Sequence, residues 1–114
     1  MPSQLLKGDI LLKLLFIGVV IFLFTAAAGM AESWWSATQP YRGWLAKVRY
    51  CESGGNYRAV SSNGMYSGAY QFDDQTWRSV GGRGRASWAS PLEQDYRAVL
   101  LYRRRGSAPW PVCG

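Results

Sequence analysis

Glu52 lies in the stretch Tyr50-Cys51-Glu52-Ser53-Gly54-Gly55-Asn56, beside one of only two cysteines and just before a helix-stopping Gly-Gly pair. A carboxyl group so placed can work as a general acid/base. Glycosidic bonds are cut by such groups, usually as a pair, one of which protonates the leaving oxygen. The partners on offer are Asp73, Asp74, Glu93 and Asp95. A glutamate at a helix end is also an ordinary surface feature, so its surroundings must decide. The chain contains no histidine. That removes Ser-His and Cys-His nucleophilic machinery and most zinc sites. No Gly-rich loop leads into a helix as a phosphate cradle would.

The elements around Glu52 follow from spacing. Thr38 can cap a helix and Pro40 suits its first turn. Trp44, Leu45, Val48 and Cys51 recur on one face, and Gly54-Gly55 end the helix. Glu52 then occupies the last turn, where the negative end of the helix dipole raises a carboxyl pKa, as burial also does. A raised pKa suits a general acid near neutral pH. Asn63-Gly64 is the signature of a tight hairpin. Met65 to Phe72 alternates large and small side chains, as a small β-hairpin or an irregular β-like loop. Asp73 or Asp74 caps a short helix, Gln75 to Val80, closed by Gly81-Gly82. Ser90-Pro91-Leu92-Glu93 is a capping box that opens the last helix. Its core-facing stripe is Leu92, Tyr96, Val99 and Leu100, which puts Asp95 on the exposed side. Arg103, Arg104 and Arg105 fill the C-terminal turn, where cations suit the dipole, and Gly106 ends it. The tail from Ala108 to Gly114 is too proline-rich for a helix and runs back toward Cys51.

Residues 1–31 read as a leader. Lys7 and Lys13 precede an apolar run from Leu14 to Phe24, and the small residues Thr25 to Ala31 follow. This is the pattern of a secretory signal peptide, with an uncleaved membrane anchor as the rival. Residues 32–40 read as a polar and aromatic linker. What remains is about 80 residues, a single domain smaller than a core alone stabilises comfortably. Two cysteines in an exported chain argue for one bridge, Cys51 to Cys113. It would close a loop of about 63 residues, worth roughly 4 kcal/mol by the chain-entropy relation. Setting aside Lys7, Lys13 and Asp9 lowers the net charge from +6 to +5, most of it arginine. A basic surface of Arg83, Arg85, Arg97 and Arg103 to Arg105 favours an anionic partner. Export argues against nucleic acid and for a wall polymer.

Several motifs together carry a resemblance. They are Trp44, Cys51-Glu52-Ser53-Gly54-Gly55-Asn56-Tyr57, Asn63-Gly64-Met65-Tyr66-Ser67-Gly68-Ala69-Tyr70-Gln71-Phe72, Thr76-Trp77 and Trp110-Pro111-Val112-Cys113-Gly114. Over residues 41–114 the chain resembles the catalytic domain of the resuscitation-promoting factors. The resemblance implies an α+β, lysozyme-like fold, mostly helical, with a short hairpin and one disulfide. It implies cleavage of the β-1,4 bond between N-acetylmuramic acid and N-acetylglucosamine, with Glu52 as acid/base, the Cys51–Cys113 disulfide, and Gln71, Thr76 and Trp77 along the glycan cleft. Met65-Tyr66 and Ser67-Gly68 depart from the family's usual aromatic pair and Gly-Gly, both in the substrate-facing loop.

Within that frame, Asp73 and Asp74 are better explained as helix caps than as catalytic groups, and Glu93 as part of its capping box. A single carboxylate points to a lytic transglycosylase. The alternatives are a hydrolytic muramidase using Asp73 or Asp74, or an exported glycan-binding or signalling module without activity. Trp44 and Trp110 read as core, and Tyr66 and Trp77 as faces for sugar rings. No cofactor or metal is implied. The expected partners are peptidoglycan glycan strands and other cell-wall hydrolases, engaged by a monomer. The expected location is outside the cytoplasm, secreted or at the cell wall, with any membrane contact through the leader.

Overall fold

In the computed structural model the described residues are Lys13, Gly29 and 33–114. The chain divides into two compact units, Met1–Ser33 and Trp34–Gly114. Apart from Lys13 and Gly29, the expected leader lies outside the described residues. The second unit begins with a helical segment, α1 (residues 34–38), and a 3-10 turn, Gln39–Tyr41. Then come α2 (Arg42–Ser53), β1 (Tyr66–Ser67), β2 (Phe72–Asp73), α3 (Asp74–Ser79), a second 3-10 turn (Ala86–Trp88) and α4 (Pro91–Arg105). The arrangement is α+β, mostly helical, with one two-stranded antiparallel sheet and one disulfide.

The described part of the stretch read as a linker, 33–40, is helical and packs at Trp34 and Thr38. Trp34 stacks on Tyr96 of α4 with ring centroids 5.2 Å apart. Thr38 is buried, and its hydroxyl donates back to the Trp35 carbonyl at 2.7 Å rather than capping a helix start. On α2, Leu45 and Val48 are buried and Trp44 is half-buried, as the spacing requires. Cys51 stays at the surface, tied to Cys113. Gly54 takes the left-handed conformation at φ 64° and closes the helix onto the Tyr50 carbonyl at 2.9 Å, a conformation glycine adopts without strain.

The hairpin pairs Tyr66 with Asp73 and Ser67 with Phe72, so its loop is Gly68-Ala69-Tyr70-Gln71. Asn63-Gly64 makes a different turn, at the tip of a loop closed by the Val60–Ser67 bridge. The Asn-Gly signature thus marks a tight turn one connection earlier than the strand pair.

On α4 the buried residues are Gln94, Ala98, Val99 and Leu101, whereas Leu92, Tyr96 and Leu100 are only half-buried. The core face is rotated from the apolar stripe because it carries a polar and a small residue. Ser90 accepts from the Glu93 amide at 3.2 Å. The reciprocal half of the capping box is missing, since the Glu93 carboxylate pairs with Arg97 at 2.9 Å. Aromatic pairs tie the core together: Trp44 meets Trp110 edge-on at 5.0 Å and Phe72 meets Trp77 at 5.1 Å.

Candidate active site

Glu52 projects from the last turn of α2 into a cleft of about 370 Å³ that Tyr66, Gln71, Trp110 and the tail residues 109–113 also line. A second lobe of about 350 Å³ shares Tyr66, Gln71, Pro109, Trp110 and Pro111 with the first. It extends to Asp73, Thr76 and Arg105. Each lobe is within the size range of ligand clefts. Through this shared wall they form one trough, with Glu52 lining the first lobe and Arg105 the second.

Burial raises the Glu52 carboxyl pKa above the ordinary value. The cause is desolvation of the charged form. Among the described residues no side chain donates a hydrogen bond or forms an ion pair with it. An unpaired, partly desolvated carboxyl group keeps its proton to higher pH than an exposed one and can act as a general acid.

Asp73, the other carboxylate in the trough, is engaged differently. Its Oδ1 accepts from the Thr76 amide and its Oδ2 from the Thr76 hydroxyl, each at 2.8 Å. Burial pushes its carboxyl pKa up, but these hydrogen bonds outweigh that and hold it below the ordinary range. Asp73 is the N-cap of α3, and it stays ionised. Asp74 lies in the first turn of α3 and pairs with Arg85 at 3.3 Å.

Of the predicted cleft residues, Tyr66, Gln71 and Thr76 line the trough. Tyr66 is exposed and available to a sugar face. Trp77 does not line it. Its ring is fully buried against Phe72, and its Nε1 donates to the Arg83 carbonyl at 3.1 Å. Gly82 seals the ring, because a Cβ there would come within 2.3 Å of it. Trp77 is therefore core, since an apolar indole with no exposed face gains more from burial than from waiting for a sugar.

The hairpin loop that presents Gln71 is pinned from three sides. The Ala69 amide donates to Gln94 Oε1 at 2.9 Å, and the Ala69 carbonyl accepts from the Ser53 hydroxyl at 2.8 Å. The Tyr70 carbonyl accepts from Trp110 Nε1 at 3.0 Å. Ser53 follows Glu52 in sequence, so α2 carries both Glu52 and a clamp on the loop opposite. Gln71 itself is at φ 53°, the single non-glycine residue with positive φ among those described. Its Nε2 donates to the Gly68 carbonyl at 2.9 Å, which leaves the amide oxygen for the trough. A bulky residue in this region is uncommon and is held only where its surroundings over-determine it.

Two groups that the apolar pattern hides complete the support. The fully buried Gln94 also donates through Nε2 to the carbonyls of Tyr57 and Ala89, each at 3.0 Å. Asp95 is not on an exposed face. Its Oδ1 accepts from Tyr57 at 2.9 Å, from Arg49 at 3.3 Å and from the Tyr70 hydroxyl. Burial and Asp95 push the Tyr57 phenol up to about 12, and burial and Asp95 likewise raise Tyr70. Both phenols remain neutral donors that hold α4, α2 and the hairpin together. The arginines are less uniform than a basic patch suggests. Arg85 donates to Gly64 O and pairs with Asp74, while Arg97 pairs with Glu93 and lies over the Trp77 ring.

A family model for the transglycosylase-like domain matches residues 40–113, the segment that builds this trough. The chain belongs to the transglycosylase-like domain family. It is 45% identical over 67 residues to the resuscitation-promoting factor RpfE of Mycobacterium tuberculosis, covering 59% of this chain and 38% of that protein. It is 38% identical over 95 residues to RpfD of the same species, covering 83% of this chain and 59% of that protein. Resuscitation-promoting factor Rpf of Micrococcus luteus is 39% identical over 67 residues, 59% of this chain and 30% of that protein. The matched region thus spans between about a third and three fifths of these relatives. The mixed fold with one disulfide agrees with a lysozyme-like domain of the kind the sequence resembles. The paired Cys51 and Cys113 are 62 positions apart, and among the described residues there is no free cysteine.

Proposed function

We propose that this transglycosylase-like domain cleaves the β-1,4 bond between N-acetylmuramic acid and N-acetylglucosamine in peptidoglycan, as a lytic transglycosylase with Glu52 as its one acid/base. The observation that carries the reading is the contrast between the two carboxyl groups of the trough. Glu52 is unpaired and burial raises its carboxyl pKa, whereas both oxygens of Asp73 are engaged in capping α3.

In this mechanism Glu52 donates its proton to the glycosidic oxygen as the C1–O4 bond breaks. The resulting carboxylate then takes the proton of the substrate's own C6 hydroxyl, whose oxygen attacks C1. The product is a 1,6-anhydromuramyl end and a free 4-hydroxyl, and Glu52 is again protonated. The positive charge that develops at C1 is met by the substrate's N-acetyl group. Tyr66 lies against a sugar face, while Gln71 and Thr76 hold hydroxyl or N-acetyl groups. The site works outside the cytoplasm, with residues 1–31 as its export leader. The disulfide supports that location, because such bonds persist in oxidising compartments.

The test is to incubate the protein and its Glu52→Gln variant with purified peptidoglycan and to analyse the soluble muropeptides by mass spectrometry. Anhydro-muropeptides from the unmodified protein alone are expected. Products with reducing ends would replace this mechanism with hydrolysis. No release from either protein, with binding retained in both, would remove the enzymatic reading.

A further inference from the structure

The far lobe of the trough holds a cation with no assigned work. Arg105 is the last residue of α4, and its side chain lines the lobe beside Asp73, Thr76 and Gln71. Its neighbours are engaged elsewhere: Arg103 Nε donates to the Tyr41 hydroxyl at 3.3 Å and Arg104 to the Ser79 carbonyl at 2.8 Å. Among the described residues Arg105 has neither an ion pair nor a side-chain hydrogen bond. Asp73 is ionised in the same lobe but forms no ion pair with it.

We propose that Arg105 sets substrate specificity by receiving a carboxylate of the glycan strand in the far lobe, so that strands with free carboxylates bind in preference to neutral ones. This rests on the reading of the trough as a peptidoglycan cleft and adds to it a rule of selection. A guanidinium matches a carboxylate through two parallel N–H···O bonds, a geometry that an ammonium or an amide cannot reproduce. Arg105 is exposed where it lines the lobe, so the attraction is open to screening by salt. A cation at a helix C-terminus is favourable in itself. That role needs no cleft, however, and Arg103 and Arg104 already serve it. The carboxylate has two sources. One is the peptide stem; the other is the lactyl group of a muramyl residue whose peptide has been removed.

Three substrates separate them: strands with free stem carboxylates, the same strands with those carboxylates converted to amides, and peptide-free strands with bare lactyl carboxylates. For the unmodified protein, amidation is expected to raise KM about tenfold with kcat little changed, the size of one charge-assisted contact. Arg105→Gln shows the raised KM on both stem-bearing substrates, and Arg105→Lys recovers part of the difference. If the lactyl group is the source, the preference appears with peptide-free strands and Arg105→Gln abolishes it there. Raising the salt shrinks the preference in either case. A rise in KM of equal size on charged, amidated and peptide-free strands, or no effect of Arg105→Gln with any of the three, overturns the proposal. Equilibrium binding of the same strands to Glu52→Gln protein, with and without Arg105→Gln, reads the charge preference without turnover. Loss of the enzymatic reading and loss of this one are thus separate results.

Discussion

The Gln94 side-chain oxygen lies 2.9 Å from the Ala69 amide nitrogen, so one buried residue of α4 carries the loop that forms a wall of the trough. The same side chain donates to Tyr57 O and Ala89 O. Replacing it with leucine keeps the volume roughly constant and orphans one backbone donor and two acceptors. At about 1–3 kcal/mol for each buried group left unsatisfied, Gln94→Leu should cost about 3 kcal/mol or more. Denaturant unfolding measures this, and a loss under about 1 kcal/mol would show that water or rearrangement replaces the amide. Activity should fall with it, although Gln94 touches no lining surface of the trough.

Gln94 also shows what the sequence conceals. The helices around the site were legible because their ends carry physical punctuation: Gly54-Gly55 after α2, Ser90-Pro91 before α4, Gly106 after it. The motifs point to Glu52, Gln71 and Thr76, and Tyr66 is a candidate as an aromatic face; all four line the trough. The supporting residues could not. Gln94, Asp95 and Ser53 are polar, and apolar periodicity assigns polar residues to the solvent side. Their placement depends on partners distant in sequence, such as the Ala69 amide for Gln94 and the Tyr70 hydroxyl for Asp95. Trp77 failed in the opposite sense. An aromatic residue beside cleft residues reads as a platform, and only the close approach of Gly82 shows that its faces are covered.

Asp73→Asn tests the division of labour between the two carboxyl groups of the trough. An asparagine oxygen can still accept from the Thr76 amide, so the cap on α3 survives and stability should change by less than about 1 kcal/mol. If Glu52 acts alone, Asp73→Asn retains cleavage within about tenfold, while Glu52→Gln loses about a hundredfold or more, the usual contribution of a general acid. Initial rates of muropeptide release measure both. Equal losses in the two variants would assign Asp73 a chemical role.

The pH dependence follows from the direction of the Glu52 shift. Its folded-state pKa is raised by burial, so the fold favours the protonated form. The associated stability is fully present below the ordinary glutamate pKa of about 4.3 and is lost as pH rises through the raised folded value. Glu52→Gln is neutral at every pH and escapes this loss. Its melting temperature should equal that of the unmodified protein in acid and exceed it at neutral pH. Over the same window kcat/KM should fall as the acid deprotonates. A variant that melts lower than the parent at neutral pH would contradict burial as the cause.

The Cys51–Cys113 bond anchors the proline-rich tail against the end of α2. That tail carries Trp110, whose indole holds the Tyr70 carbonyl. Reduction, or the Cys51→Ala/Cys113→Ala pair, should lower stability by roughly 4 kcal/mol on the loop-closure relation. The loss reaches the trough as well, because residues 109–113 form one of its walls. Melts with and without reductant measure the first effect, and muropeptide release at a temperature where the reduced protein remains folded measures the second. An unchanged midpoint would exclude the bond in solution.

Gln71 separates strain from function within one residue. Its φ of 53° disfavours any side chain with a Cβ by about 1–2 kcal/mol. Gln71→Ala keeps that strain and removes the bond to Gly68 O, whereas Gln71→Gly removes the strain and the bond together. Glycine has more backbone entropy to lose on folding, which offsets about 0.5–1 kcal/mol of its advantage. The glycine variant should therefore be equal to or up to about 1.5 kcal/mol more stable than the alanine variant, the reverse of their order at an ordinary β position. Both lack the amide that faces the trough, so both should lose activity to the same degree. Denaturant melts and kcat/KM for the pair measure the two effects. An alanine variant clearly more stable than the glycine one would mean that the loop relaxes out of the left-handed conformation. An alanine variant with full activity would mean that Gln71 serves the backbone and not the glycan.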